Sequence, residues 1–253
     1  MIYVYLIVIL ILYWLYNYFT LFNQFKMNLI IGKKGSGKST YAAYIANRYK
    51  NRIALEFDRT KFKFTRHKFH IYSNMHIAVP NIRYIPNPEQ LGMFVPEPYS
   101  VLIIDEVNTL PGWDNREFKS MPKETINYFR YNRQYKVIMY MFTQSFDLDK
   151  KARSQTDRMY LCSNFLTVWT LIRRIDKTVT IKDNALDADS QVVDDLHFAP
   201  WFIPGNIKLV WIPKYIKYFQ SYNPPKKPFF PYVEENLPLF KKQWFKKKSN
   251  KTC

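Results

Sequence analysis

Residues 32–39 read G-K-K-G-S-G-K-S. Glycines let a backbone curl until several N–H groups converge on one point, and converging N–H groups bind an anion. The pattern is G-x-x-x-x-G-K-[ST] in full, the loop that holds the phosphate chain of a nucleotide such as ATP. The candidate contacts are Gly32, Lys33, Lys34, Gly35, Ser36, Gly37, Lys38, Ser39 and Thr40. Lys38 is suited to the β- and γ-phosphates, and the Ser39 hydroxyl to a Mg²⁺ ion.

Such a loop needs a second strand that delivers a carboxylate to the metal. Y-S-V-L-I-I-D-E (99–106) supplies it. Asp105 ends an apolar strand, where ligands bind in open α/β sheets, and is the second metal candidate. Glu106 beside it suits a base that polarises an attacking water. A third strand, K-V-I-M-Y-M-F-T-Q (136–144), ends in Thr143 and Gln144. Gln144 is the first candidate to touch the γ-phosphate or its water, and Thr143 the second. Charge on a transferring phosphoryl group calls for an arginine. Arg130, Arg133, Arg153 and Arg158 are the candidates expected near these strand ends.

The motifs stand in an order that resembles a known family. M-N-L-I-I-G-K-K-G-S-G-K-S-T-Y-A-A, I-Y-S-N (71–74), V-L-I-I-D-E-V-N-T-L-P-G-W, P-K-E-T-I-N-Y-F-R-Y-N-R-Q-Y-K-V-I-M-Y-M-F-T-Q-S-F and D-L-D-K-K-A-R-S-Q-T-D are similar to the zonular occludens toxin-like P-loop ATPases of filamentous phages. These are relatives of the FtsK and HerA DNA pumps. The resemblance spans roughly residues 27–185. It implies ATP hydrolysis, a homo-oligomeric ring in which a neighbour supplies an arginine, and phage DNA or coat proteins as partners. It puts Arg133 and Arg153 beside Lys38, Glu106 and Gln144 as catalytic candidates. The chain departs from the family in three ways. Gln134 and Lys136 stand where His and Gly are expected. The membrane-span candidate precedes the ATPase motifs. The domain that gave the family its toxin name has no counterpart, so toxin activity is not implied.

The elements that must position these residues follow from hydrophobic periodicity. M-N-L-I-I before the loop is a buried-strand run, and T-Y-A-A-Y-I-A-N-R-Y after it has helical spacing. With the two later strands, this predicts an α/β P-loop NTPase domain over 27–195, a mostly parallel sheet flanked by helices. R-I-A-L-E-F (52–57) and F-H-I-Y-S (69–73) read as further strands. F-K-F-T-R-H-K (62–68) between them reads as a basic, aromatic surface loop suited to nucleic acid. T-V-W-T-L-I-R-R-I and K-T-V-T-I read as two arms of a β-hairpin.

Residues 1–25 contain no Asp, Glu, Lys or Arg. A helix of about 20–25 such residues can cross a bilayer, so the segment predicts a transmembrane anchor. Lys26, Lys33, Lys34 and Lys38 follow it and no basic residue precedes it. The positive-inside rule therefore places the N-terminus outside and the ATPase domain in the cytoplasm. Residues 196–253 turn rich in proline, aromatics and lysine and predict an irregular basic extension. The 38 Lys+Arg against 20 Asp+Glu, a net charge of +18, favour a polyanionic partner, nucleic acid or an anionic leaflet. Two cysteines, Cys162 and Cys253, form no metal spacing or disulfide framework, which suits a reduced cytosolic domain.

The leading expectation is a membrane-anchored ATPase driving filamentous phage assembly or export. The alternatives are a DNA-packaging or conjugative translocase, and a nucleotide-binding membrane scaffold with little hydrolysis. Glu106 argues against the last.

Overall fold

The computed structural model describes residues 2–20, 25–58, 61–114, 121–145, 148, 150–182, 191–203 and 205–219. In chain order the elements are α1 (Ile2–Tyr18), β1 (Phe19–Thr20), β2 (Met27–Ile31), α2 (Lys38–Tyr49), β3 (Ile53–Asp58), β4 (Lys63–Lys68), β5 (His70–Ser73), β6 (Ile82–Tyr84), β7 (Ser100–Ile104), α3 (Lys123–Tyr131), β8 (Val137–Thr143), α4 (Lys150–Ser154), β9 (Arg158–Phe165), β10 (Trp169–Lys182), β11 (Gln191–Phe198), β12 (Ile207–Trp211) and α5 (Ile212–Tyr215), with short 3₁₀ turns between. The chain divides into two units, Met1–Ser221 and Tyr222–Cys253. The second lies outside the described residues.

The main sheet runs β11-β10-β9-β2-β8-β7-β5-β6, with β12 also paired to β10. From β9 to β6 every pairing is parallel. β2, β7 and β8 read M-N-L-I-I, S-V-L-I-I and V-I-M-Y-M-F-T and are buried at every position. A parallel sheet is covered on both faces, so its strands are apolar runs rather than alternations. Successive side chains still point to opposite faces. Ile30, Ile138, Tyr140 and Phe142 pack under α2 with Tyr41, Ala42, Ile45 and Ala46. Leu29, Ile31, Met139 and Met141 pack on the opposite face with Trp113, Tyr128 and Phe129. On α3, Thr125, Tyr128 and Phe129 make the buried stripe at the spacing of one helix face.

The described region departs from the sequence expectations in three places, and it gives the segment expected to span a membrane as one helix and a two-residue strand. α1 has 17 residues, or roughly 25 Å at about 1.5 Å per residue, against a hydrocarbon core of about 30 Å. Among the described residues no helix is long and apolar enough to cross a membrane. The loop expected at 62–68 is instead β4, paired antiparallel to β3 from Ile53↔Lys68 to Asp58↔Lys63. Its polar residues satisfy the outward half of a strand alternation. The two expected hairpin arms after Cys162 are one continuous strand, β10. Its partners are β9 through the turn at 166–168, then β11 and β12. Residues 196–219 do not begin an irregular extension. They finish β11, form β12 and α5, and join the core under α2, where Val210 and Tyr215 are buried. Their prolines fall between elements and at the first turn of α5, where a missing N–H costs nothing.

Candidate active site

The loop between β2 and α2 turns on two glycines with positive φ, Gly35 at 75° and Gly37 at 90°. Gly37 caps α2 with no side-chain hydrogen bond to its N-terminus. A Cβ on Gly37 would lie 2.1 Å from Thr170 Oγ1 of β10, and one on Gly32 would lie 2.7 Å from the Cys162 carbonyl of β9. Around Gly35 nothing lies within 4 Å, so its requirement is conformational alone. Among the described residues the N–H groups of Lys34, Gly35, Gly37 and Lys38 donate to no protein acceptor. A row of free donors at a helix N-terminus fits a phosphate chain. Lys38 Nζ donates to the Gly32 carbonyl at 2.7 Å and to the Lys33 carbonyl at 3.0 Å. This holds its charge at the mouth of the loop. Burial lowers the pKa of this ammonium, against the pull of Asp105.

Asp105 follows β7 directly, and β8 stands between β7 and β2. The side chain of Asn74, at the end of β5, continues the β5–β7 ladder by one step. Its Nδ2 donates to the Asp105 carbonyl at 3.0 Å, and the Asp105 N–H donates to its Oδ1 at 2.7 Å. Asp105 Oδ1 in turn accepts the Glu106 N–H at 3.0 Å. Burial pushes the Asp105 carboxyl pKa up, while the Glu106 N–H opposes the rise.

Glu106 takes the left-handed conformation, φ 51° and ψ 45°, which throws its side chain out of the strand direction. For a non-glycine residue this is a strained state that the surroundings must hold. Thr109 does so, donating its N–H and Oγ1 to the Glu106 carbonyl at 2.9 and 2.8 Å. The exposed Glu106 carboxylate accepts a hydrogen bond from Gln144 Nε2 at 3.1 Å. Thr143 is buried, its hydroxyl given to the Ser145 carbonyl at 2.9 Å, and its own carbonyl accepts the Gly32 N–H at 3.1 Å. Of the two residues, Gln144 faces the site and Thr143 ties β8 to the phosphate loop.

Arg133 lies away from this site. Arg133 pairs with Asp157, whose other oxygen accepts the Met27 N–H at 2.9 Å. Met27 starts β2, about 13 Å of strand from the phosphate loop at roughly 3.3 Å per residue. The topology forces this. α3 runs back against the strands, so the turn that feeds β8 lies at the strand-start end. Arg130, in the last turn of α3, belongs to that same end. Arg158 is level with Asn28 in the β2–β9 register. The Arg153 carbonyl caps Thr156, just before β9 begins. The chain thus brings together Gly32–Thr40, Asp105, Glu106 and Gln144, and holds Arg133 at the opposite end of the strands.

Three contributors had no role assigned from sequence. Asn74 was legible only as part of an S-N pair. Cys162 Sγ donates to the Ser36 carbonyl at 3.3 Å, and burial pushes its thiol up to about 11, so it packs the loop as a neutral group. Lys208 of β12 is half-buried, donates to Tyr41 OH at 3.2 Å and lies 5.0 Å over the Tyr160 ring, bracing α2. A lone lysine in a Pro-rich stretch gave no signal for that.

No protein-family model and no curated protein matches the chain. Solved structures similar to it include the N-terminal domain of zonular occludens toxin from Neisseria meningitidis, at 16% identity over 59% of this chain and 82% of that one, TM-score 0.40. The genome packaging NTPase B204 from Sulfolobus turreted icosahedral virus 2 in complex with ATP-gammaS is similar at 14% identity over 60% and 93%, TM-score 0.41. B204, the DNA-packaging ATPase from Sulfolobus turreted icosahedral virus, is similar at 17% identity over 60% and 93%, TM-score 0.38.

Proposed function

We propose that the chain hydrolyses ATP and uses the energy in assembly or export of a filamentous phage at a membrane. One observation carries the enzymatic part. The phosphate cradle of Gly32–Lys38, the Asp105 carboxylate and the Glu106–Gln144 pair converge at the same end of three adjacent strands. Lys38 and the loop N–H groups bind the phosphates. Ser39 and Asp105 would hold Mg²⁺, which shields phosphate charge when bound. Glu106 accepts a proton from the attacking water, and Gln144 orients Glu106 through the bond they share. A scaffold that merely binds ATP has no use for a strained glutamate steered by a glutamine.

The cargo reading rests on the motif order and on the charge of +18. A ring in which a neighbouring copy donates an arginine, as the motif order implies, is part of the proposal. Attachment through the apolar N-terminal segment, with the ATPase domain in the cytoplasm, is likewise proposed. Tyr3 to Leu12 of α1 are all exposed, and a helix apolar all round requires an apolar surrounding. DNA translocation is the second reading and shares the chemistry.

The test is ATP turnover by the full chain in detergent, alone and with single- or double-stranded DNA. Lys38→Ala and Glu106→Gln should each abolish it. Unchanged turnover in both overturns the enzymatic reading, and strong stimulation by DNA favours translocation over virion assembly.

A further inference from the structure

The small sheet β1-β3-β4 is not used by the chemistry above. β3 pairs on one side with β1, the two residues that directly follow α1, and on the other with β4. The register aligns Phe19 with Ile53 and Ile53 with Lys68. The end of the uncharged α1 therefore lies two strand spacings, roughly 10 Å, from β4.

On β4, Phe64, Arg66 and Lys68 share the face away from the core by strand alternation, while Phe62, Lys61 and Lys63 are exposed at the turn and the strand's start. Phe62 is 83% and Phe64 58% exposed, and Lys61, Lys63, Arg66 and Lys68 are exposed between and beside them. No acid occurs from 61 to 68. The other face is fixed to the main sheet. His67 stacks on Tyr99 with centroids 4.0 Å apart and planes 4° off parallel. Glu56 of β3 accepts both 2.7 and 2.8 Å hydrogen bonds from Lys136 Nζ. The basic, aromatic surface is thus rigidly presented beside an apolar helix.

Exposed aromatics interleaved with lysine and arginine, at the end of an apolar helix, have the chemistry of a bilayer interface. Rings sit at headgroup depth, and basic side chains meet anionic lipid. We propose that β4 and its turn, through Phe62, Phe64, Lys63, Arg66 and Lys68, form an interfacial anchor that binds the anionic headgroup layer next to α1. It rests on the membrane attachment proposed above and adds a second contact to it. α1 alone is short for a span, and an interfacial contact at its end compensates.

The test is flotation of the full chain with vesicles of neutral phosphatidylcholine and with vesicles containing phosphatidylglycerol. The variants are Lys63→Gln/Arg66→Gln/Lys68→Gln and, as a charge-conserving control, Arg66→Lys. ATP turnover in detergent checks that each is folded. The wild type should prefer the anionic vesicles. The triple variant should lose at least tenfold of that preference, since each basic residue at the surface is worth roughly fivefold. Arg66→Lys should keep it, and binding to neutral vesicles should stay unchanged in both. Equal anionic preference in wild type and triple variant overturns the anchor. If the wild type binds anionic but not neutral vesicles, insertion of α1 fails while the hairpin contact stands. If the triple variant loses single-stranded DNA but keeps its vesicle preference, the partner is nucleic acid and the anchor is overturned.

Discussion

Asn74 fixes Asp105 without touching its carboxylate. It donates to the Asp105 carbonyl and accepts the Asp105 N–H, at 3.0 and 2.7 Å. Both backbone groups of this metal candidate are thereby fixed one step past the end of β7, where no strand partner exists among the described residues. The side chain of an asparagine has the same donor–acceptor pair as a peptide unit, and here it substitutes for one. Asn74→Ala removes both bonds, each worth about 1 kcal/mol net. A stability loss of about 1–3 kcal/mol in urea titration is expected. The larger effect falls on turnover, because Asp105 and then Glu106 lose their reference point. A drop of at least tenfold in the ATP hydrolysis rate is expected. Asn74→Asp, which lacks the Nδ2 donor, should recover little. Wild-type turnover in Asn74→Ala would show that the pair is structural only.

The Gln144–Glu106 bond separates binding from chemistry. Glu106→Gln keeps the cradle and should bind a fluorescent ATP analogue as the wild type does, while turnover falls by about 100-fold or more, in line with the loss of a general base. Gln144→Ala leaves the base and removes its orienting partner, so a smaller loss, about tenfold, is expected. Lys38→Ala should weaken binding itself. If Glu106→Gln weakened the analogue as much as Lys38→Ala does, Glu106 would be a binding residue.

The loop glycines are not equivalent. Gly35→Ala meets only the cost of a positive φ, about 1 kcal/mol, since nothing lies within 4 Å of the added carbon. Gly37→Ala meets the same cost and also drives its Cβ into Thr170 Oγ1 at 2.1 Å. Nucleotide affinity should fall modestly in the first and collapse in the second. Gly37→Ala/Thr170→Ala should recover part of the loss, because the strain at φ 90° remains. Titration with the analogue reads all three.

These parts were legible because their chemistry is local. A phosphate loop is contiguous, and D-E and T-Q sit at the ends of apolar runs whose burial in a parallel sheet follows from composition alone. What sequence hid was the end of the sheet at which a residue falls. Arg133 and Gln144 are eleven positions apart on the same helix–strand path, yet β8 runs between them and puts them at opposite ends. The family resemblance expects glycine where Lys136 stands, and the structure shows why. Lys136 has φ 56°. The exception is supported by its side chain, which is held between Glu56 and Tyr99. β12 was missed for the opposite reason. Prolines around it read as an irregular extension, although five residues, Ile207–Trp211, are enough to add a strand to β10.

The Lys136–Glu56 contact gives the hairpin a pH dependence. Hydrogen bonds from Lys136, and then from Tyr99, hold the Glu56 carboxyl below the usual glutamate range. A carboxyl depressed in the folded state contributes stability above its unfolded pKa, about 4.3, and loses it as pH falls through the folded value. The hairpin should therefore loosen below about pH 4 and not at neutral pH. Glu56 and Lys136 side chains are 41% and 35% exposed, so solvent screening limits the pair to roughly 1 kcal/mol at most. The effect is local opening rather than global unfolding. Hydrogen exchange of the β3 and β4 amides should accelerate severalfold between pH 5 and pH 3, after correction for the intrinsic rate, while β2, β7 and β8 stay protected. Glu56→Gln has no such titration. It should open the hairpin slightly at pH 7 and flatten the acid response. An acid response that persists in Glu56→Gln would assign it to another carboxyl.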